Sequence, residues 1–240
     1  MKVLPMKKHE LNELVESGVL QQKPDPDLLL TELNALVQDG FLQQLPNDFF
    51  SFNNNLTWEV IYETLLFSER SNLHNLIAKH IEKFNKENLD PVADLLLHHY
   101  KEANNWEKCV FYAAKSGDRA ARMFAIDDAL DTYNKIFEAL EKLPGDTAED
   151  KCLVYEKLGD VYLSCGQDQD AQDKFIKSLD YWRGHDFNTE NVLTPWSIEL
   201  KTQESVLCRK ISMAYLGMAD YEESMAWVDE AIEKLPYRPG

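Results

Sequence analysis

With 240 residues, 44% of them hydrophobic, the chain is long enough for one elongated domain or two small ones with real cores. Its formal net charge of −17 repels phosphate backbones and anionic lipid, which argues against nucleic acid and membranes as partners. No apolar run approaches the ~20 residues of a bilayer span, so a helical membrane segment is not expected.

The start, MKVLPMKKHELNELV, has lysines but no apolar stretch behind them, so it does not read as a signal peptide and the default compartment is the cytoplasm. KKHELNELVESGVL reads as a first helix. DPDLLLTELNALVQDG then predicts a helix from about Asp27 to Gln38, capped by Asp25 or Asp27 and stopped at Gly40. FLQQL and FFSFN, around Pro46-Asn47-Asp48, read as two short strands. Helix followed by a two-stranded wing is the winged-helix pattern, assigned to residues 1–54. Residues 55–90 read as connecting helices meeting near Phe67-Ser68.

From 91 onward the prolines thin out, with none in 92–143 or 145–194, which leaves room for long helices. A helix is predicted from about 91 to 103, a turn at Asn104-Asn105, and a long helix from Trp106. IDDALDTYNKIFEALEKLP follows, with Ala129, Tyr133 and Ile136 at helical spacing. YEKLGDVYLSCGQDQDAQDKF places Tyr155, Leu158, Gly159 and Tyr162 on one helix, ends it at Gly166, and resumes with Ala171 and Phe175. A mid-helix glycine costs about 1 kcal/mol relative to alanine, so Gly159 is expected where a facing helix needs its space. A second copy runs through SVLCRKISMAYLGMADYEESMAWVDEAIEKLP: Ser212 matches Gly159, Ser224 matches Ala171, Val228 matches Phe175 and Ala231 matches Ser178. RGHDFNTENVLTPW, near 183–196, reads as an insertion without helical period, ordered by Trp196 and Phe187.

These copies resemble the tetratricopeptide repeat, with Gly159, Ala171 and Ser178 at close-contact positions and Tyr155, Leu158, Tyr162 and Phe175 at bulky ones. The fold expected is mostly α: a winged-helix-like segment, then a right-handed solenoid of tetratricopeptide-like helix pairs over 91–240. More broadly, FSFNNNLTWEVIYETLLFSERSNLHNLIAKHIE with LLLHHYKEANNWEKCVFYAAKSGDRAARMFAIDDALDTYNKIFEAL is similar to the region after the ATPase module in soluble adenylyl cyclases and bacterial cyclase–ATPase signalling proteins. That likeness spans roughly 25–180, anchored on Phe52, Glu59, Tyr62, Leu65-Leu66, Arg70, His74, Tyr100, Trp106, Ala113, Ala121 and Ala129. It implies a regulatory or sensor arm rather than a catalytic part.

The residues offer little chemistry. There is no phosphate-cradling G-x-x-x-x-G-K-[ST], no G-x-S-x-G and no H-E-x-x-H. Adjacent His98 and His99 diverge by about 100° around a helix, and Asp168, Asp170 and Asp173 read as an acidic helix start rather than a calcium loop. Cys109, Cys152, Cys165 and Cys208 form no C-x-x-C and read as small buried hydrophobes in a reducing compartment. No enzyme, cofactor or metal is expected.

What remains is protein binding. A stack of helix pairs exposes the first helix of each pair on its concave side. By resemblance to the repeat, the groove-facing residues are Asp94, His98, Lys101, Glu156, Asp160, Leu163, Arg209, Met213 and Leu216. The acids point to a basic or amphipathic segment as partner. On the last helix Val228, Ala231 and Ile232 are expected inside, yet Trp227 and Met225 leave its outer face unfinished. That points to a longer array or to self-association through this end. The alternative is a transcriptional regulator reading DNA through the winged helix, but the helix at 27–39 carries Asp27, Glu32 and Asp39 and no cation.

Overall fold

The structure, a computed structural model, describes residues 25–46, 49–187, 192–196, 199–200 and 202–235. The helix expected before residue 25, and part of the insertion at 183–196, lie outside the described residues. Ten α-helices and one two-stranded sheet make up the described chain. It divides into two compact units, one within Met1–His80 with Glu102–Asn104 and one within Ile81–Lys101 and Asn105–Gly240. No helix of the described residues is long and apolar enough to cross a membrane.

In the first unit, α1 (Pro26–Gln38) starts where the sequence places it. The Asp25 carboxylate accepts the Asp27 N–H at 3.1 Å, and proline takes the first turn, where its missing N–H is no loss. Gly40, at φ +79°, ends the helix. Antiparallel strands β1 (Leu42–Leu45) and β2 (Phe49–Phe52) follow, Leu42 opposite Phe52, and bury Leu42 and Phe50. Asn54 caps α2 (Asn55–Thr64), and α3 (Phe67–Phe84) follows after a break at Leu65-Leu66.

The second unit carries α4 (Ala93–Glu102), α5 (Trp106–Arg122), α6 (Ile126–Leu140), α7 (Ala148–Ser164), α8 (Asp168–Gly184), α9 (Gln203–Gly217) and α10 (Tyr221–Glu233). Consecutive helices pack most closely as α5 with α6, α7 with α8 and α9 with α10; α9 also packs on α8, and α7 on α6.

One contact register recurs in these three pairs. A Cβ on Gly159 would stand 2.6 Å from Cδ1 of Phe175, and a Cβ on Gly117 would stand 2.6 Å from Cδ1 of Tyr133. Both aromatics come 16 residues after their glycine; Val228 holds that place after Ser212. Seven residues before each small residue stand Val110, Cys152 and Ser205, opposite Ile136, Ser178 and Ala231. There Ser178 Oγ donates to the Cys152 carbonyl at 2.8 Å, and Ser205 Oγ to the Ala231 carbonyl at 2.7 Å.

The turns repeat as well. Phe124, Gly166 and Ala219 all take positive φ, at 57°, 74° and 61°. The next residue, Ala125, Gln167 or Asp220, donates its N–H back to the carbonyl of Ala120, Tyr162 or Tyr215, each at 3.0 Å. These bonds satisfy carbonyls that a helix end otherwise leaves unpaired.

Candidate functional site

Between the pairs runs a ladder of ion pairs. Asp118, one residue after Gly117, meets Lys157 Nζ at 3.2 Å. Asp160, one residue after Gly159, meets Lys210 Nζ at 2.7 Å. The lysines are equivalent too, each two residues before the small residue of the next pair. Lys210 also donates to Glu156 Oε1 at 2.7 Å, and Gln203 Nε2 donates to Glu156 Oε2 at 2.6 Å. Burial disfavours the charge on Lys210, but Glu156 and Asp160 outweigh it and raise the pKa of its ammonium above the ordinary lysine value.

Glu156 and Asp160, expected to face a ligand, are therefore engaged by a lysine of the neighbouring pair. The separation hides this from local reading, because Lys210 lies 54 residues beyond Glu156.

A second feature of the same face is the segment 192–196. The carboxylate of Asp150, only 2% exposed, accepts the N–H of Leu193 at 3.1 Å and of Thr194 at 3.0 Å. Burial pushes the Asp150 pKa up, and the amide bonds only partly offset that rise. Two residues on, Trp196 Nε1 donates to Asp118 Oδ2 at 2.7 Å, while Tyr133 donates to Asp118 Oδ1 at 2.7 Å. Lys157 Nζ lies 5.0 Å from the Trp196 ring centre. The structure thus shows Trp196 ordering its end of the insertion, as expected, with α5 and α7 supplying the anchors. Phe187 packs on Trp182 instead, with ring centres 4.2 Å apart.

The other predicted residues separate into two places. Asp94, His98 and Lys101 lie on α4, beside a cavity of about 610 Å³ shared with α5 and α6. Asp94 accepts from Ser116 and is ion-paired to Arg119. In the repeated register, however, the positions matching Glu156, Asp160 and Leu163 fall on α5, at Ala114, Asp118 and Ala121. Leu163 is half-buried against the α8–α9 core, and Met213 and Leu216 are exposed on α9, at 49% and 55%. Arg209 lines a groove between α9 and α10. Ile232, expected inside, is 61% exposed in that groove, whereas Ala231 is buried as expected. The helical period gave the angle of Ile232 but not what would cover it.

Glu82 is a further polar centre that the sequence did not single out. It accepts from Tyr100 at 2.5 Å, from Lys108 at 2.7 Å and from Tyr112. Burial alone would raise its pKa, but these three donors outweigh burial and hold it below the ordinary glutamate value. Three of the four cysteines are buried as read; Cys165 is exposed. No lysine or arginine occurs in 25–46 or 49–52, so the described α1 and its hairpin offer no cation to a phosphate.

No protein-family description matches the chain, and no curated protein matches it. Among solved structures it is similar to BtubC (BKLC) from P. vanneervenii, at 15% identity and a TM-score of 0.52, over 78% of this chain and 77% of that one. At that identity the likeness is one of fold alone.

Proposed function

We propose that the chain is a non-catalytic helical-repeat module for protein interaction, with α5/α6, α7/α8 and α9/α10 stacked as tetratricopeptide-like pairs in a right-handed array. Its place is the regulatory arm of a larger signalling ATPase or cyclase-like protein, as the sequence resemblance implies. The observation that carries the reading is the register repeated in three pairs, a small residue with a large one 16 positions on, joined by an Asp–Lys bridge at each of the two junctions between them. The polar centres at Glu82, Asp118 and Glu156/Asp160 are each engaged in helix-to-helix contacts, which suits a scaffold better than a reaction centre.

The inner face then selects an amphipathic segment. Lys210 neutralises much of the charge on Glu156 and Asp160, leaving exposed Met213 and Leu216 as the apolar contacts. Selection of peptides from a random displayed library against the whole chain tests this. Selected peptides are expected to lose at least about tenfold in affinity for a Met213→Glu/Leu216→Glu variant, as central contacts do. Equal affinity for both forms, or no peptide selected, overturns the reading.

A further inference from the structure

The last helix pair carries an apolar seam that is largely exposed among the described residues. Tyr221, Met225, Val228, Ile232 and Leu235 follow one another at intervals of four and three, the spacing by which one helix seats another. Tyr221, Met225, Ile232 and Leu235 are 66%, 60%, 61% and 52% exposed. Beside the seam lies a groove of about 360 Å³, walled by Val206 and Arg209 of α9 and by Val228, Ile232 and Leu235.

The chain shows what such a groove receives. Val228, Ile232 and Leu235 hold the positions of Phe175, Leu179 and Trp182 in the preceding pair. There α9 lies across them: Phe175 and Leu179 are buried with Leu207, Cys208 and Ile211, and Trp182 packs against that core. The same side-chain pattern on α10 therefore presents a helix-sized groove.

Charge decides which helix fits. The solvent edge of the seam carries Glu222, Asp229 and Glu233, exposed and without an ion pair among the described residues. A second copy laid on this seam would set acids against acids, on a chain already at −17. Arg209, on the opposite edge, holds the position of Glu156, which receives Lys210 from the covering helix. With the sign reversed, Arg209 calls for an acid.

We propose that the α9–α10 groove docks an amphipathic α-helix of a partner protein, basic along the edge that meets Asp229 and acidic at the point that meets Arg209. In the same register Met213 and Leu216 hold the positions of Asp160 and Leu163, which also meet the covering helix, so they border this groove; Ile232, on α10, tests the groove by itself, and Met213 with Leu216 tests the inner face.

The test uses the whole chain and a fluorescent synthetic helix with leucines at four–three spacing, lysines on one flank and a glutamate on the other. Anisotropy is expected to report saturable binding, weakened at least about tenfold by Ile232→Asp. Glu222→Lys/Asp229→Lys should abolish it, and a peptide with glutamates on that flank should restore binding to this variant. These side chains are exposed, so the variants should keep the fold. Binding indifferent to Ile232→Asp, loss without rescue, or no binding below about 1 mM overturns the proposal. So does a concentration-dependent dimer that Ile232→Asp dissolves in sedimentation, because the occupant would then be a second copy.

Discussion

The ring of Phe175 fills the space that a methyl group on Gly159 would need: Cδ1 and Cζ would lie 2.6 Å and 2.8 Å from that carbon. Glycine in the middle of α7 thus exchanges helix propensity for a close helix crossing, and Gly117 makes the same exchange against Tyr133. Gly159→Ala should cost about 2 kcal/mol through overpacking, despite alanine's better propensity. In a Phe175→Ala background the same change should be neutral or stabilising by up to about 1 kcal/mol, because only propensity remains. Urea unfolding of the four forms measures the cycle, and additive effects would refute the steric account.

The pairing of Lys210 with Glu156 and Asp160 makes a second prediction. Lys210 is 16% exposed and Glu156 15%, so the Lys210→Met variant leaves the shielded Glu156 carboxylate without its cation and beside the more exposed Asp160. The expected loss is about 3 kcal/mol. Adding Glu156→Gln and Asp160→Asn should recover most of it by removing the stranded charges. Thermal melts of the single and triple variants give the comparison; a triple variant no better than the single would show that the lysine acts through packing.

How far the sequence reveals this arrangement depends on the range of each contact. Gly159, Ala171 and Phe175 lie within one turn-linked pair, so their sizes and spacing expose the crossing directly. Gly117 performs the same task but does not stand out in the sequence, because the copies are unevenly spaced: Gly159 follows it by 42 residues and Ser212 follows Gly159 by 53. Without that glycine in the pattern, spacing by itself does not mark α5 as the partner of α6. Contacts between pairs were the least legible. Nothing near Glu156 announces Lys210, and nothing near Asp150 announces the amides of Leu193 and Thr194. Single acids on a helix look alike until the chain brings distant donors to them.

Glu82 predicts the acid limb of the stability profile. Its folded pKa lies below the ordinary glutamate value, so its contribution is complete above that value and is lost as pH falls through the folded one. Glu82→Gln should cost about 2 kcal/mol at neutral pH, the scale of hydrogen bonds to a charged group. It should also make stability fall less steeply below roughly pH 4.5 than in the parent. Urea midpoints across the acid range read both effects, and parallel profiles for the two proteins would rule out the depressed pKa.

The cysteines divide by burial. Burial pushes the thiols of Cys109 and Cys152 up to about 12 and that of Cys208 up to about 11, and all three are buried. Cys165 is exposed at the end of α7. Since the thiolate is the reactive form, a thiol reagent at neutral pH should modify Cys165 quickly and the other three only on unfolding. Mass spectrometry of the native and urea-denatured chain counts the labels; two or more fast sites in the native chain would contradict the packing.

The anchoring of 192–196 is tested at the backbone. The amides of Leu193 and Thr194 donate to a carboxylate that is 2% exposed, so their exchange with solvent should be slow for residues outside any helix. Asp150→Ala should speed exchange at these two amides by at least about tenfold, equivalent to losing roughly 1.4 kcal/mol of local protection. Amides in α10 should be unaffected. Trp196→Phe keeps a ring against Tyr133 but removes the donor to Asp118, so it should loosen the same segment to a lesser degree. Uniform acceleration through α9 and α10 in the Asp150 variant would mean that the carboxylate supports the whole unit and not the segment it touches.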